Sequence, residues 1–287
     1  MSRGAKTLGW TLLVFILVAA FEVFSYLAIK NLSFLRYYAY SQPEVTEDQF
    51  ASADLNGDGA LDIFVGTTDG GGQQVWLNSS GLAGDQRVAP LFEMTQELTE
   101  STRGWNVAAK DLDGDGDRDV VTFGHSQQPH RIYLNSGDGT LLLSGDSVPS
   151  EDNKGGLVAD FNGDGRPDLF EAGVGTKSSR LLLNEGYGRF TASPLTFDAR
   201  SLFEVHSHDF DSDGLPDLFF NSRVIASGVW LNQGERRFQK ALGLMPQAVY
   251  QRACLADFDG DSHKDVMIIC DGAKRSAVWL ADSAGYL

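Results

Sequence analysis

The sequence predicts an all-β protein, a β-propeller of about five four-stranded blades preceded by a single N-terminal transmembrane helix. Three observations predict the propeller. A nine-residue acidic string, Asp at positions 1, 5 and 9 with Asp or Asn at 3, occurs five times. An apolar run follows each string: DIFVG, DVVTFG, DLFEAG, DLFFN and DVMII. A second landmark then recurs: VWLN (75–78), IYLN (132–135), LLLN (181–184), VWLN (229–232) and VWLA (278–281). The first Asp precedes the end of that landmark by 24, 24, 24, 23 and 24 residues, and the next first Asp follows after 33, 25, 25 and 25. A fixed period near 49 residues with β-type segments is the mark of an array whose units cannot bury their faces alone.

The strings themselves carry metal chemistry. They are Asp54, Asn56, Asp58, Asp62; Asp111, Asp113, Asp115, Asp119; Asp160, Asn162, Asp164, Asp168; Asp209, Asp211, Asp213, Asp217; and Asp257, Asp259, Asp261, Asp265. Calcium takes six to eight oxygen ligands, and side chains at 1, 3 and 5, a carbonyl at 7 and a closing carboxylate supply such a set. The position-7 carbonyls belong to Ala60, Asp117, Arg166, Leu215 and His263, with the Arg166 side chain expected to point outward. Up to five Ca2+ ions are expected, their role structural. Position 2 is always apolar (Leu55, Leu112, Phe161, Phe210, Phe258), which predicts an anchor into the core beneath each loop. Position 6 is Gly except for Ser262 in the fifth loop, which must make the turn with a residue that disfavours positive φ. Ser212, at position 4 of the fourth loop, is expected to be harmless.

Each unit reads as four strands. The first ends at the opening Asp, the second starts at the closing Asp, the third is the landmark, and the fourth follows a Gly-rich turn such as NSGDGTL, NEGYGRF or NQGERRF. Trp76, Tyr133, Leu182, Trp230 and Trp279 share one repeat position, a regularity that argues for packing. The eight extra residues of the first interval fall between Asn78 and Asp111 and read as a surface insertion, neutral or on a binding face.

Strand, DxDGDGxxD loop and strand, followed by N-x-G-x-G-x-F, resemble the FG-GAP/VCBS family of calcium-binding β-propeller repeats, with loops like those of the integrin α-subunit head. Asn184, Gly186, Gly188 and Phe190 match the turn in full. Asn135, Gly137 and Gly139 match with Leu141 in the aromatic place, and Asn232, Gly234 and Phe238 match in part. The resemblance covers about residues 49–287. An EF-hand instead needs Glu at position 12, which only the third loop offers (Glu171), and its flanks would be helical.

Apolar content of 42% supports a real core, and the formal charge is −16. Eighteen acids are the Asp ligand candidates themselves, so the loops explain most of the imbalance. With no basic stripe, nucleic-acid binding is excluded as a function class. Cys254 and Cys270 flank the fifth loop on two strands expected to pair; they read as two small buried hydrophobes, a disulfide being poorly placed.

At the N-terminus, residues 1–7 precede LGWTLLVFILVAAFEVFSYLAI (8–29), 22 residues with one charge, Glu22. That length spans a bilayer, with Trp10 and Tyr26 near the interfaces. The alternative is a cleaved signal peptide with an apolar region Leu8 to Leu17 and a site at Val18, Ala19 and Ala20. Calcium loops favour the calcium-rich side, so residues 1–7 are expected in the cytoplasm and the propeller (49–287) in the periplasm or outside the cell. Residues 30–48 form a linker, of which 37–45 are expected to complete the last blade. No enzyme signature is present: no HExxH, GxSxG or P-loop. His206 and His208 lie on one strand, and two ligands do not make a site. The expected function is a non-catalytic module binding a protein or glycan. An accessory subunit of a membrane complex, docked near Glu22, and a lyase-like polysaccharide-active propeller remain as alternatives.

Overall fold

A computed structural model describes residues 50–66, 72–78, 92–99, 104–124, 128–145, 148–151, 153–197, 202–222, 227–234, 237–241, 250–270 and 276–282. The span at 8–29 with Glu22, the linker 30–48 with its expected closing strand, and residues 79–91 lie outside them. Among the described residues no helix is long and apolar enough to cross a membrane.

The described residues form five antiparallel sheets, each a simple meander. The first holds β1 (Phe50–Ala53), β2 (Asp62–Val65), β3 (Gln73–Asn78) and β4 (Phe92–Leu98); the second holds β5 (Gly104–Lys110), β6 (Asp119–Gly124), β7 (Arg131–Asn135) and β8 (Leu141–Leu143). The third comprises β9 (Asn153–Ala159), β10 (Asp168–Gly173), β11 (Ser179–Asn184) and β12 (Phe190–Phe197). The fourth comprises β13 (Leu202–His208), β14 (Asp217–Ser222), β15 (Gly228–Asn232) and β16 (Phe238–Lys240). The fifth has three strands among the described residues, β17 (Tyr250–Ala256), β18 (Asp265–Cys270) and β19 (Ala277–Trp279). Every first strand ends one residue before an opening Asp, and every second strand begins at a closing Asp, as the repeats predict. β4 begins 14 residues after Asn78, whereas the fourth strands of the next three sheets begin six after their Asn, so the eight extra residues lie before β4. Pro194 falls within β12, which is an edge strand and so needs no donor on its outer side.

Successive first strands are neighbours: β1 lies beside β5, β5 beside β9, β9 beside β13 and β13 beside β17. The sheets therefore stack face to face as propeller-like blades. Side chains alternate along each strand, so each sheet has a forward face toward the next sheet and a backward face toward the previous one. The seams are apolar. Phe64 and Val75 of the first sheet pack on Val120 and Tyr133 of the second; Val121 and Ile132 of the second pack on Leu169 and Leu182 of the third. Phe170, Leu181 and Phe197 of the third meet Leu218, Phe220 and Trp230 of the fourth; Phe219 and Val229 of the fourth meet Val266 and Ile268 of the fifth. The shared aromatic position thus packs into a seam in four sheets, as expected, and Trp76 of the first sheet lies on the backward face.

The third-to-fourth seam is the most aromatic. Phe170 stacks on Phe220 at 5.4 Å, and Phe197 meets Phe170 edge-on at 5.2 Å. Pairs of this geometry contribute about 0.5–1.5 kcal/mol beyond the area they bury. Two core expectations change in the fifth sheet. Phe258, expected as a buried anchor, is 44% exposed, while Leu55, Leu112, Phe161 and Phe210 are buried. Cys254 is exposed and free, not buried. Both residues belong to a forward face that no further described sheet covers.

Candidate metal centres

Each loop is shaped by its own carboxylates, which accept hydrogen bonds from the turning backbone. The opening Asp takes the N–H of position 6 on Oδ2 in all five: Gly59 on Asp54 at 2.8 Å, Gly116 on Asp111 at 3.0 Å, Gly165 on Asp160 at 2.7 Å, Gly214 on Asp209 at 2.9 Å and Ser262 on Asp257 at 3.0 Å. Position 3 accepts from the N–H of position 5, as from Asp164 to Asn162 at 2.9 Å and from Asp261 to Asp259 at 3.2 Å. Position 5 accepts from position 7, in the same way for Ala60, Asp117, Arg166, Leu215 and His263, at 2.7 to 2.9 Å.

The backbone folds tightly enough that positions 4 and 6 both turn left-handed. Ser262 at position 6 has φ of 76°, as its place in the repeat requires. Ser212 at position 4 has φ of 61°, matching Gly57, Gly114 and Gly163. It was expected to be harmless; position 4 in fact demands the same conformation as position 6.

The closing Asp is buried in every loop and works as a staple. Its Oδ2 accepts from the N–H of position 2: Leu55, Leu112, Phe161, Phe210 and Phe258, at 2.7 to 3.1 Å. Its Oδ1 accepts from the N–H that ends the third strand: Asn78, Asn135, Asn184, Asn232 and Ala281, at 2.6 to 2.9 Å. One carboxylate thus fixes loop to strand from both sides.

The landmark Asn is a residue whose work sequence reasoning missed. Asn135 Nδ2 donates to Leu55 O of the preceding loop at 2.7 Å, Asn184 to Leu112 O at 2.9 Å and Asn232 to Phe161 O at 2.8 Å. Each also holds its own loop, for example Asn184 to Pro167 O at 3.0 Å. Its Oδ1 accepts from the Gly two residues on, so the Asn-x-Gly turn and the link between blades are one device. The signal was present as an Asn recurring at the end of an otherwise apolar tetrapeptide.

Carboxylates converge in three loops. Oxygens of Asp111, Asp113 and Asp115 lie within 4.8 Å of one another, as do those of Asp209, Asp211 and Asp217 and those of Asp257, Asp259 and Asp265. The fifth loop, despite Ser262, is among them. In the first and third loops position 3 is an amide, and Asn56 and Asn162 donate to Asp58 and Asp164 at 3.1 and 3.0 Å. Arg166, expected to point outward, folds back instead: it pairs with Asp164 and donates from Nε to Asn184 O at 2.9 Å.

Electrostatics shows what such loops lack on their own. Burial, opposed by backbone hydrogen bonds and reinforced by the neighbouring carboxylates, pushes Asp119, Asp168 and Asp217 up to about 6. Burial and the adjacent loop carboxylates also raise Asp113 and Asp211. The donor set is all hard oxygen, crowded and short of positive charge, so it fits a divalent hard cation such as calcium.

Buried and half-buried ionisable groups away from the loops serve the blades. Glu171 accepts from Ser150 Oγ, Glu151 N and Asn153 Nδ2 at 3.1, 2.9 and 3.0 Å, binds Arg180 Nε, and lies 3.8 Å from His130 Nε2. Burial works to raise it, but His130 and Arg180 outweigh burial and hold it below the usual carboxylate range. Glu204 accepts from Ala253 N at 2.7 Å and faces His206 at 3.2 Å.

A β-meander repeat closed by an acidic loop and an Asn-x-Gly turn defines a class of repeat protein, and the family comparison agrees. The FG-GAP-like repeat model matches residues 54–122, 111–171 and 160–220, each match running from one opening Asp into the second strand of the next sheet. The chain belongs to the FG-GAP-like repeat family. No curated protein matches it in sequence. Among solved structures, it is similar to an Agrocybe aegerita lectin that specifically recognises non-reducing terminal N-acetylglucosamine, with 22% identity and a TM-score of 0.56 over 86% of this chain and 66% of that one. It is also similar to the Photorhabdus luminescens Tc holotoxin pore (22%, TM-score 0.44, 85% and 12%) and the V. cholerae biofilm matrix protein Bap1 (19%, 0.41, 77% and 34%). The chain spans less than two thirds of the length of each. The lectin supports the fold.

Proposed function

We propose that this protein is a membrane-anchored, extracytoplasmic calcium-binding propeller that acts as a non-catalytic protein- or glycan-binding module. The observation that carries the calcium reading is the convergence of three carboxylates in each of three loops built to one hydrogen-bond plan. Calcium would supply the positive charge these sites need. Asp111, Asp113, Asp115, Asp209, Asp211, Asp217, Asp257, Asp259 and Asp265 would hold it, with the Asn-containing first and third loops as further sites. The chain's own part is to keep these oxygens in place, which the closing Asp does from two backbone donors. Residues 8–29 would anchor the module, leaving the loops where calcium is millimolar and modest affinity, about 10⁻⁴–10⁻³ M, suffices.

Binding, and not catalysis, is favoured because the buried Glu171 and the half-buried Glu204 outside the loops are committed to structural partners, Glu171 to Arg180 and Glu204 to Ala253 and His206. Glycan binding draws support from the lectin that shares the fold, and a protein ligand fits the same rigid scaffold.

The test uses full-length protein in detergent. Thermal unfolding is followed in calcium and in excess chelator, and a glycan array including N-acetylglucosamine-terminated chains is probed in both. A melting temperature raised by calcium, with calcium-dependent capture, supports the reading. An unchanged melting curve refutes the calcium role, and release of unsaturated sugars from acidic glycans refutes the non-catalytic one.

A further inference from the structure

Every seam between the described sheets joins the forward face of one sheet to the backward face of the next, and among the described residues nothing covers the backward face of the first sheet or the forward face of the fifth. On the backward side, Val120, Leu169, Leu218 and Val266 occupy one repeat position and are fully buried; the first sheet has Ile63 there, only half-buried. Phe50 and Met94, which share that face across the register with Val65 and Trp76, are each 44% exposed. On the forward side, Val75, Ile132, Leu181 and Val229 are buried, while their fifth-sheet equivalent Val278 is 44% exposed. Ile269 at 41% and Leu280 at 51% extend that face, beside the exposed Cys254 and Phe258.

Contiguous exposed apolar faces mark interaction sites on soluble domains. Here the repeat itself states what such a face is made to meet. The residues that differ in exposure do not differ in type from those that form the four internal seams.

We propose that the forward face of the fifth sheet docks on the backward face of the first sheet in a second copy of this chain. The contact is heterologous, since the two surfaces are different, and it reproduces the internal seam between molecules. Two copies joined at both ends would close; joined at one end they would leave faces free for further copies.

The test is sedimentation velocity and mass photometry of the full-length protein in detergent over a concentration series. Wild type is expected to associate reversibly. Ile269→Glu with Val278→Glu on the forward face, or Phe50→Glu with Met94→Glu on the backward face, should each weaken association by at least about 100-fold. Mixing the two variants should restore a heterodimer, because each keeps the face the other has lost. A monomeric wild type, or variants that associate like wild type, overturns the proposal. A second measurement does not depend on those variants folding. With Ser52→Cys on the exposed backward face and native Cys254 on the forward face, a mild oxidant should give interchain disulfides. An intrachain link would show instead that one chain closes on itself.

Discussion

At the scale of single residues, the repeat works through two side chains that do different jobs. The closing Asp accepts two backbone hydrogen bonds in all five sheets, which explains why position 9 never varies even where position 3 becomes Asn. The landmark Asn links adjacent blades, and in the fifth copy it is the buried Ala281, where an Asn would donate to the carbonyl of Phe210 by the pattern of the other sheets. The fifth sheet therefore docks on the fourth without the polar tie that joins the other seams. Ala281→Asn should supply it. A buried hydrogen bond contributes about 1 kcal/mol net, so the urea midpoint should rise modestly, and protection of β17–β19 amides from exchange should rise with it. A lower midpoint would mean that the Phe210 carbonyl is already satisfied or that the site is too tight for the amide.

At the scale of the loop as an element, charge decides stability, and the sign depends on the cation. The folded-state values of Asp119, Asp168 and Asp217 lie near 6, above the model-peptide value of 3.8, because burial disfavours the charged form. The folded state thus binds protons more tightly than the unfolded state at these positions. Their contribution is fully present below about 3.8 and is lost as pH rises through 6. Glu171 and Glu204 act oppositely: lowered in the fold, they lose stabilisation only as pH falls below the ordinary glutamate range. In excess chelator, urea midpoints should therefore fall between pH 4.5 and 6, and saturating calcium should remove or reverse that fall. A chelated protein that becomes more stable across this window would contradict the arrangement. The sequence made these loops legible because ligand spacing is a local pattern, and the strand boundaries followed from it. It did not reveal the fold-back of Arg166 or the exposure of Cys254 and Phe258. The turn at Ser212 was signalled within the loop, by the Gly that holds position 4 in the other four copies, whereas the Arg166 contact and the two exposures depend on a neighbouring strand end or on whether another sheet lies alongside, and neither is encoded within the loop.

At the scale of the whole molecule, five similar sheets joined by four seams make stability close to a sum of sheets and nearest-neighbour contacts. The seams are unequal. Val, Leu and Ile dominate between the second and third sheets, whereas Phe161, Phe170, Phe197 and Phe220 gather between the third and fourth, with Trp230 and Phe238 packed against them. The period alone showed that seams exist; which one is strongest rested on side chains converging from residues 161 to 238, a tertiary property. Phe170 meets Phe161 and Phe197 of its own sheet and Phe220 across that seam, and it is fully buried. Phe170→Ala removes the centre of this cluster and should cost about 3–5 kcal/mol. Because the array is nearly one-dimensional, the loss should divide the molecule: sheets one to three and sheets four to five should unfold at separate urea concentrations. Amide exchange in β13–β18 would report the second half, and amide exchange in β5–β7 the first. In wild type the two should coincide. If they also coincide in Phe170→Ala, the sheets cooperate through more than their shared faces, and the inter-blade asparagines become the next contacts to break.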